Sequence, residues 1–197
     1  MTTELITHTQ AERQRLAGLL DHLTPQQWHH PSLCAGWRVC EVVAHMTMPF
    51  RTKPWRLLTG LLSAGFRFNK FADRDARATA AAMDQRELVQ MLKDNITHPW
   101  RPPGGGAAGA LSHDVIHGLD ITEPLGLPAP PTERIAMVLA SGDDRQLRYF
   151  GVDLGGHTLV ATDADIRVGK GANQIEVSAK DLLLVVTGRL PLERVAG

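Results

Sequence analysis

Four prolines, Pro124, Pro128, Pro130 and Pro131, fall within eight residues. Each lacks a backbone N–H and holds φ near about −65°, so neither a continuous α-helix nor a central strand can cross the stretch. The chain is therefore divided, with one unit expected over residues 1–125 and a second over 126–197. Over 197 positions, 43% hydrophobic content is enough for a real core without a covalent staple.

Before the prolines the hydrophobic period is helical. Ile6, Leu16, Leu19, Leu20 and Leu23 share one face of a helix expected over Thr3–Leu23. Thr24-Pro25-Gln26-Gln27 reads as a short helix start, with Thr24 as N-cap and Gln27 closing a capping box. A loop over Pro31–Trp37 precedes a long helix from about Arg38, with Val39, Val42, Val43 and Met46 facing inward. Pro49 and Pro54 should kink or interrupt that helix. A third helix is expected over Phe66–Ala82. A fourth runs from Asp84 to about Ile96, opened by an Asp84/Glu87 capping box with Met83 stapled onto Leu88. Beyond the Gly/Pro-rich stretch 99–106, an Ala-rich start leads into a helix through Leu111–Leu119. An up-and-down helical bundle is the simplest arrangement.

After the prolines the pattern changes. Thr132 to about Leu147 reads as helix, Thr158–Thr162, Asp165–Val168 and Gln174–Val177 as short strands, and Asp181–Leu190 as a buried final helix. This is a small α+β unit, too small to be comfortable alone and expected to pack on the bundle.

Charge narrows the function. Acidic and basic residues balance at 21 each, without the basic excess of a nucleic-acid binder. The short basic spot Arg51, Lys53 and Arg56 reads as a solvated helix face. Nothing is apolar over the length a membrane span needs, and no membrane partner is expected. The two cysteines, Cys34 and Cys40, are not spaced as C-x-x-C and are read as free thiols; Cys34 is expected to be a small packing residue. With no signal-peptide pattern, the chain reads as cytoplasmic.

Nine histidines is a high count for this length. His113-Asp114-Val115-Ile116-His117 places two imidazoles four apart, on one face of a helix and within reach of a single cation. His45, in the apolar run Val42-Val43-Ala44-His45-Met46, is the natural third ligand. The spacing is equally compatible with two solvated imidazoles and a hydrogen-bonded core histidine. His8, His22, His29, His30, His98 and His157 sit in polar or loop contexts. The pair resembles H-E-x-x-H with Asp114 in place of glutamate, one methylene too short to serve well as a peptidase base. Asp120, three residues beyond His117, could orient an imidazole from behind or cap the end of the helix.

Leu23-Thr24-Pro25-Gln26-Gln27-Trp28, Pro31-Ser32-Leu33-Cys34-Ala35-Gly36-Trp37, Val42-Val43-Ala44-His45 and His113-Asp114-Val115-Ile116-His117-Gly118-Leu119-Asp120-Ile121 occur in that order. Together they resemble the mycothiol-dependent maleylpyruvate isomerase family, within the DinB-like four-helix metalloproteins. The resemblance covers about residues 5–125. It implies a mainly α protein, an up-and-down four-helix bundle with a small C-terminal α+β unit. In it His45, His113 and His117 converge on a divalent metal, commonly zinc, with nickel also compatible. It further implies mycothiol as thiol cosubstrate, a small electrophile as substrate, and transferase or isomerase chemistry. The isomerase itself has glutamate where this chain has His113, and that departure separates the metal–thiol chemistry from the particular isomerisation. Asp181 to Arg189 resembles the end of the family's C-terminal domain. Arg189 is the position onto which its functional arginine is carried, although Gly188-Arg189 also reads as a plain helix end. A metal-dependent hydrolase and a non-catalytic metal-binding module are the alternatives, and monomer and homodimer both remain open.

Overall fold

The structure is a computed structural model in which residues 2–142 and 144–196 are described. Helices α1 (Thr2–Leu20), α3 (Val39–Arg51), α6 (Gln85–Asp94) and α7 (Gly106–Thr122) form a four-helix bundle in which each packs on two or more of the others. Its core holds Leu16 and Leu20 from α1, Leu88 and Leu92 from α6, and Ile121 from α7. From α3 come all four residues that periodicity turns inward, Val39, Val42, Val43 and Met46. The short α2 (Pro25–Trp28) has the expected capping box, and its Trp28 is buried beside Val39 in the same core. The box at α6 is also formed: Glu87 N donates to Asp84 Oδ1 at 2.8 Å, and Asp84 N donates to Glu87 Oε2 at 2.7 Å.

Two helices differ from expectation. α3 runs through Pro49, which sits in its last turn, and stops at Arg51. A proline there removes only the hydrogen bond to the carbonyl four residues back, a loss that a terminal turn tolerates better than a helix interior. The break comes at Thr52–Lys53, and a helix absent from the periodicity reading, α4 (Pro54–Ser63), follows with proline at its first turn, where no N–H is needed. α5 (Phe68–Ala82) lies along α3 and carries α4 on its far side.

Beyond the prolines come α8 (Thr132–Ala140) and α9 (Asp144–Phe150), two helices where one was expected over Thr132–Leu147; Asp143, between them, lies outside the described residues. β1 (His157–Ala161) is the centre of a three-stranded sheet, antiparallel to β2 (Arg167–Gly169) and parallel to β3 (Asn173–Val177). α10 (Ala179–Val186), N-capped by Ser178, packs on β1 and α8. Leu159, Leu182 and Val185 of this unit share a core with Leu111, Val115, Ile116 and Leu119 of α7. α7 thus belongs to both cores, which explains why its sequence is apolar on nearly every side. Its close approach to α1 needs Gly118, where a Cβ would lie 3.0 Å from Glu12 Oε1 and 3.2 Å from Leu16 Cδ1. Among the described residues no helix is long and apolar enough to cross a membrane.

Candidate metal centre

His113 and His117, one turn apart on α7, face His45 from α3. The ring centroids are 4.8 Å apart for His113–His117, 4.9 Å for His45–His117 and 5.4 Å for His45–His113. One nitrogen of each ring lies within 4.8 Å of one nitrogen of the other two. Nitrogens bound to one tetrahedral zinc at about 2.1 Å would lie about 3.4 Å apart, so small side-chain rotations would close the set around an ion.

Each α7 imidazole is held from behind. His117 Nδ1 lies 2.9 Å from Asp120 Oδ2. Burial raises the pKa of the Asp120 carboxyl, but hydrogen bonds from His117 and Arg189 outweigh it and hold the group below the usual carboxylate range. An ionised carboxylate only accepts, so His117 donates through Nδ1 and keeps its Nε2 lone pair for a ligand. His113 Nδ1 makes the same contact with Asp114 Oδ1 at 2.8 Å. Asp114 Oδ2 in turn accepts from Arg13 Nε at 2.7 Å, and Arg13 also donates to the His98 carbonyl at 2.8 Å.

His45 is buried, and its Nδ1 has no hydrogen-bond partner. An unpaired nitrogen in a buried imidazole is costly unless something else satisfies the ring, and a cation shared with two other imidazoles is one such group. Burial, then repulsion from His117 and His113, pushes the His45 pKa down to about 2. Burial also depresses His117, although Asp120 pulls the other way. Both imidazoles are thereby kept neutral, the form that binds metal. The donor set therefore fits a divalent ion of the zinc type.

Asp120 joins the two units of the fold. Gly188, at φ +71°, ends α10, and the turn is closed by Arg189 N donating to the Leu184 carbonyl at 2.8 Å. That turn sends the Arg189 side chain to α7, where Nε meets Asp120 Oδ1 and a terminal nitrogen meets Oδ2, both at 3.0 Å. The remaining terminal nitrogen donates to the Thr187 carbonyl at 2.7 Å, and the guanidinium lies 5.2 Å over the Phe150 ring. Cys34 packs against the bundle core as expected, and its Sγ also donates to Asp120 Oδ2 at 3.0 Å. Burial and the Asp120 charge push the thiol well above its ordinary range, so it stays protonated and acts as a donor. Cys34, His117 and Asp120 lie close enough to hold a cation. With Arg189 already on the carboxylate and the thiol protonated, they are better read as a hydrogen-bond network.

The three histidines border a cavity of about 750 Å³. Trp37, Phe68, Tyr149 and Phe150 give it apolar walls, and Asn69, Ser112 and Arg189 give it polar ones. A space of this size holds a small metabolite with a second small molecule beside it.

Residues 9–122 match the family model of the mycothiol maleylpyruvate isomerase N-terminal domain. The chain belongs to this family. Two solved structures have the same fold over nearly the whole length. One is the mycothiol-dependent maleylpyruvate isomerase, with a TM-score of 0.59 at 14% identity, and the other is a histidine-to-alanine mutant of it, with a TM-score of 0.61 at 12% identity. Each alignment covers 96% of this chain and 90% of the other. No curated protein sequence matches the chain. As a family member it carries the expected fold, mainly α, a DinB-like bundle with a small C-terminal α+β unit.

The structure brings together His45, His113, His117, Asp114, Asp120 and Arg189, all named from the sequence. Asp120 lies behind the His117 ring, and Arg189, whose N–H closes the end of α10, also reaches Asp120 and lines the cavity. Cys34, Trp37 and Arg13 were missed. Arg13 carried no signal, being one charge on an amphipathic helix whose partner lies 101 residues away.

Proposed function

We propose that the chain is a cytoplasmic, divalent-metal-dependent transferase or isomerase that uses a low-molecular-weight thiol, mycothiol, on a small electrophile. The reading takes His45, His113 and His117 as the ligands of one ion, zinc before nickel, with Asp114 and Asp120 holding two of the rings. It takes residues 1–125 as the metal-binding bundle and 126–197 as the unit that closes over it. The observation that carries it is the set of three converging imidazoles, one with an orphan nitrogen, bordering a cavity large enough for two small molecules. The thiol is carried over from the solved relatives, which are named as mycothiol-dependent.

A bound dication would supply the Lewis acidity that turns a thiol into a thiolate near neutral pH. The protein's own residues would do the rest. Three neutral ligands leave the ion's full charge in place, where a carboxylate at His113 would have cancelled part of it. Asp120 fixes the His117 ring and holds Arg189 still, so that the guanidinium can face an anionic group of the electrophile. Trp37 and Phe150 line the cavity and would shield the reacting carbon from water. Cys34, a protonated donor, leaves the nucleophilic sulfur to the cosubstrate.

Metal analysis of the purified protein and activity assays with and without added thiol test the proposal together. One ion per chain is expected, lost in His45→Ala and in His117→Ala but kept in His157→Ala, with turnover of electrophiles only when thiol is present. Ester or amide hydrolysis by metal-loaded protein without thiol would replace this reading with a hydrolase. Failure to bind stoichiometric metal would remove both.

A further inference from the structure

Reaching the cavity at Phe68 and Asn69, the α4–α5 corner carries a surface that the proposed chemistry does not use. On α4, Trp55, Leu58 and Leu62 lie within about 60° of arc, a single stripe at helical spacing. They are 59%, 58% and 53% exposed. The opposite side of α4 is fixed to α5 at Gly60, where even a Cβ would lie 2.2 Å from the Phe71 ring, so the stripe is turned outward by packing. The turn into α5 adds Phe66, 71% exposed and held at φ +59°, and Phe68, 47% exposed. A bulky residue at positive φ is strained, and here the strained backbone presents an aromatic ring to the outside.

Along the sequence, the charges next to this stripe have one sign. Between Glu41 and Asp73 there is no acidic residue, while Arg51, Lys53, Arg56, Arg67 and Lys70 all fall there, in a chain that is neutral overall. Arg51 is neutralised by Asp75 of α5, and Asp73 is taken up by Trp37 and Arg77. Lys53, Arg67 and Lys70 form no ion pair among the described residues, and Arg56 stacks on Trp55 at 5.7 Å. Cations flanking an outward Trp/Leu/Phe stripe are the composition of a helix that lies in a lipid headgroup layer.

We propose that the α4–α5 corner docks on an anionic lipid surface, with Trp55, Leu58, Leu62 and Phe66 entering the headgroup region and Lys53, Arg56, Arg67 and Lys70 meeting lipid phosphates. This departs from the sequence expectation of no membrane partner, which rested on the lack of a spanning segment; lying on a bilayer needs none. A second copy of the chain is the poorer occupant, because a two-fold contact through this face would set like charges against each other with no acid between them. A soluble polyanion would satisfy the cations and leave the apolar stripe in water. Phe68 and Asn69 also line the cavity, so docking would bring the cavity mouth to the membrane surface.

The test is co-sedimentation of the full-length, metal-loaded protein with vesicles of phosphatidylcholine alone and of phosphatidylcholine with a minority of phosphatidylglycerol. Binding to the anionic vesicles is expected to be at least about tenfold tighter and to be released by salt. The apolar double variant Trp55→Ser/Leu58→Ser and the charge variant Lys53→Glu/Arg67→Glu should each lose about tenfold or more, with metal content and melting temperature kept. Absence of binding to either vesicle, or binding that neither variant weakens, overturns the proposal. So does concentration-dependent dimerisation abolished by Trp55→Ser/Leu58→Ser, which would give the face to a second copy. Equal affinity for polyglutamate would likewise overturn it, since charge alone would then suffice.

Discussion

Asp120→Asn tests the centre most sharply, because two effects of one carboxylate can be separated. The Asp120 side chain is fully buried and accepts from His117, Arg189 and Cys34. Asparagine keeps the shape but loses the charge, and its amide group would face donors. Arg189, only 13% exposed, would be left without its anion. Breaking one side of a buried ion pair costs about 3–5 kcal/mol, and the partial exposure of Arg189 places the expected loss near about 3 kcal/mol. The second effect is on metal. Without a carboxylate behind it, the His117 ring is no longer held in the Nδ1–H tautomer, and the loss of such a partner typically weakens metal binding by about 10–100-fold. Urea unfolding of the metal-free protein measures the first effect, and competitive zinc titration measures the second. The double variant Asp120→Asn/Arg189→Met removes the stranded cation, so it should regain stability while its zinc affinity stays low. Zinc affinity equal to wild type in Asp120→Asn, or restored in the double variant, would refute the idea that Asp120 orients a ligand.

Acid should destabilise the metal-free protein early. His45 is depressed to about 2 in the folded chain against about 6.5 when unfolded, so below that pH the unfolded state binds more protons and stability falls as pH falls. The slope approaches about 1.4 kcal/mol per pH unit for this one group, and thermal melts between about pH 6.5 and 5 should be flatter in His45→Gln; equal slopes would show that His45 titrates normally. Arg13→Met should cost about 3–5 kcal/mol in urea unfolding by stranding Asp114, and a loss below about 1 kcal/mol would mean that Asp114 does not depend on Arg13. Gly118→Ala should cost about 1–3 kcal/mol by pushing α1 from α7, and a neutral effect would show that Leu16 yields.

Most of the bundle and the convergence of the three histidines were legible because local rules agreed. Val39, Val42, Val43 and Met46 keep a helical period, and Asp84 with Glu87 forms its capping box within four residues. His113 and His117 needed only one turn of helix. α4 escaped because its outward stripe is apolar and its anchored side turns on Gly60, so the usual pattern of apolar inside and polar outside is inverted. α8 and α9 divide a stretch whose apolar spacing alone reads as continuous. Cys34 and Arg13 were hidden for another reason: their partners, Asp120 and Asp114, lie far along the chain and are chosen by packing, not by spacing.

The three histidines are supported from three separate places. His113 is tied through Asp114 to Arg13 in the first helix, His117 through Asp120 to Arg189 near the end of the chain, and His45 is carried on α3 beside the Trp37 ring. The support behind each ring can therefore be changed separately, while the rings themselves still act on one another. Under the proposed metal function, a centre supported in this way could change its metal preference one ring at a time. Separate supports of this kind offer a route for redesigning the trio from behind, one ring after another.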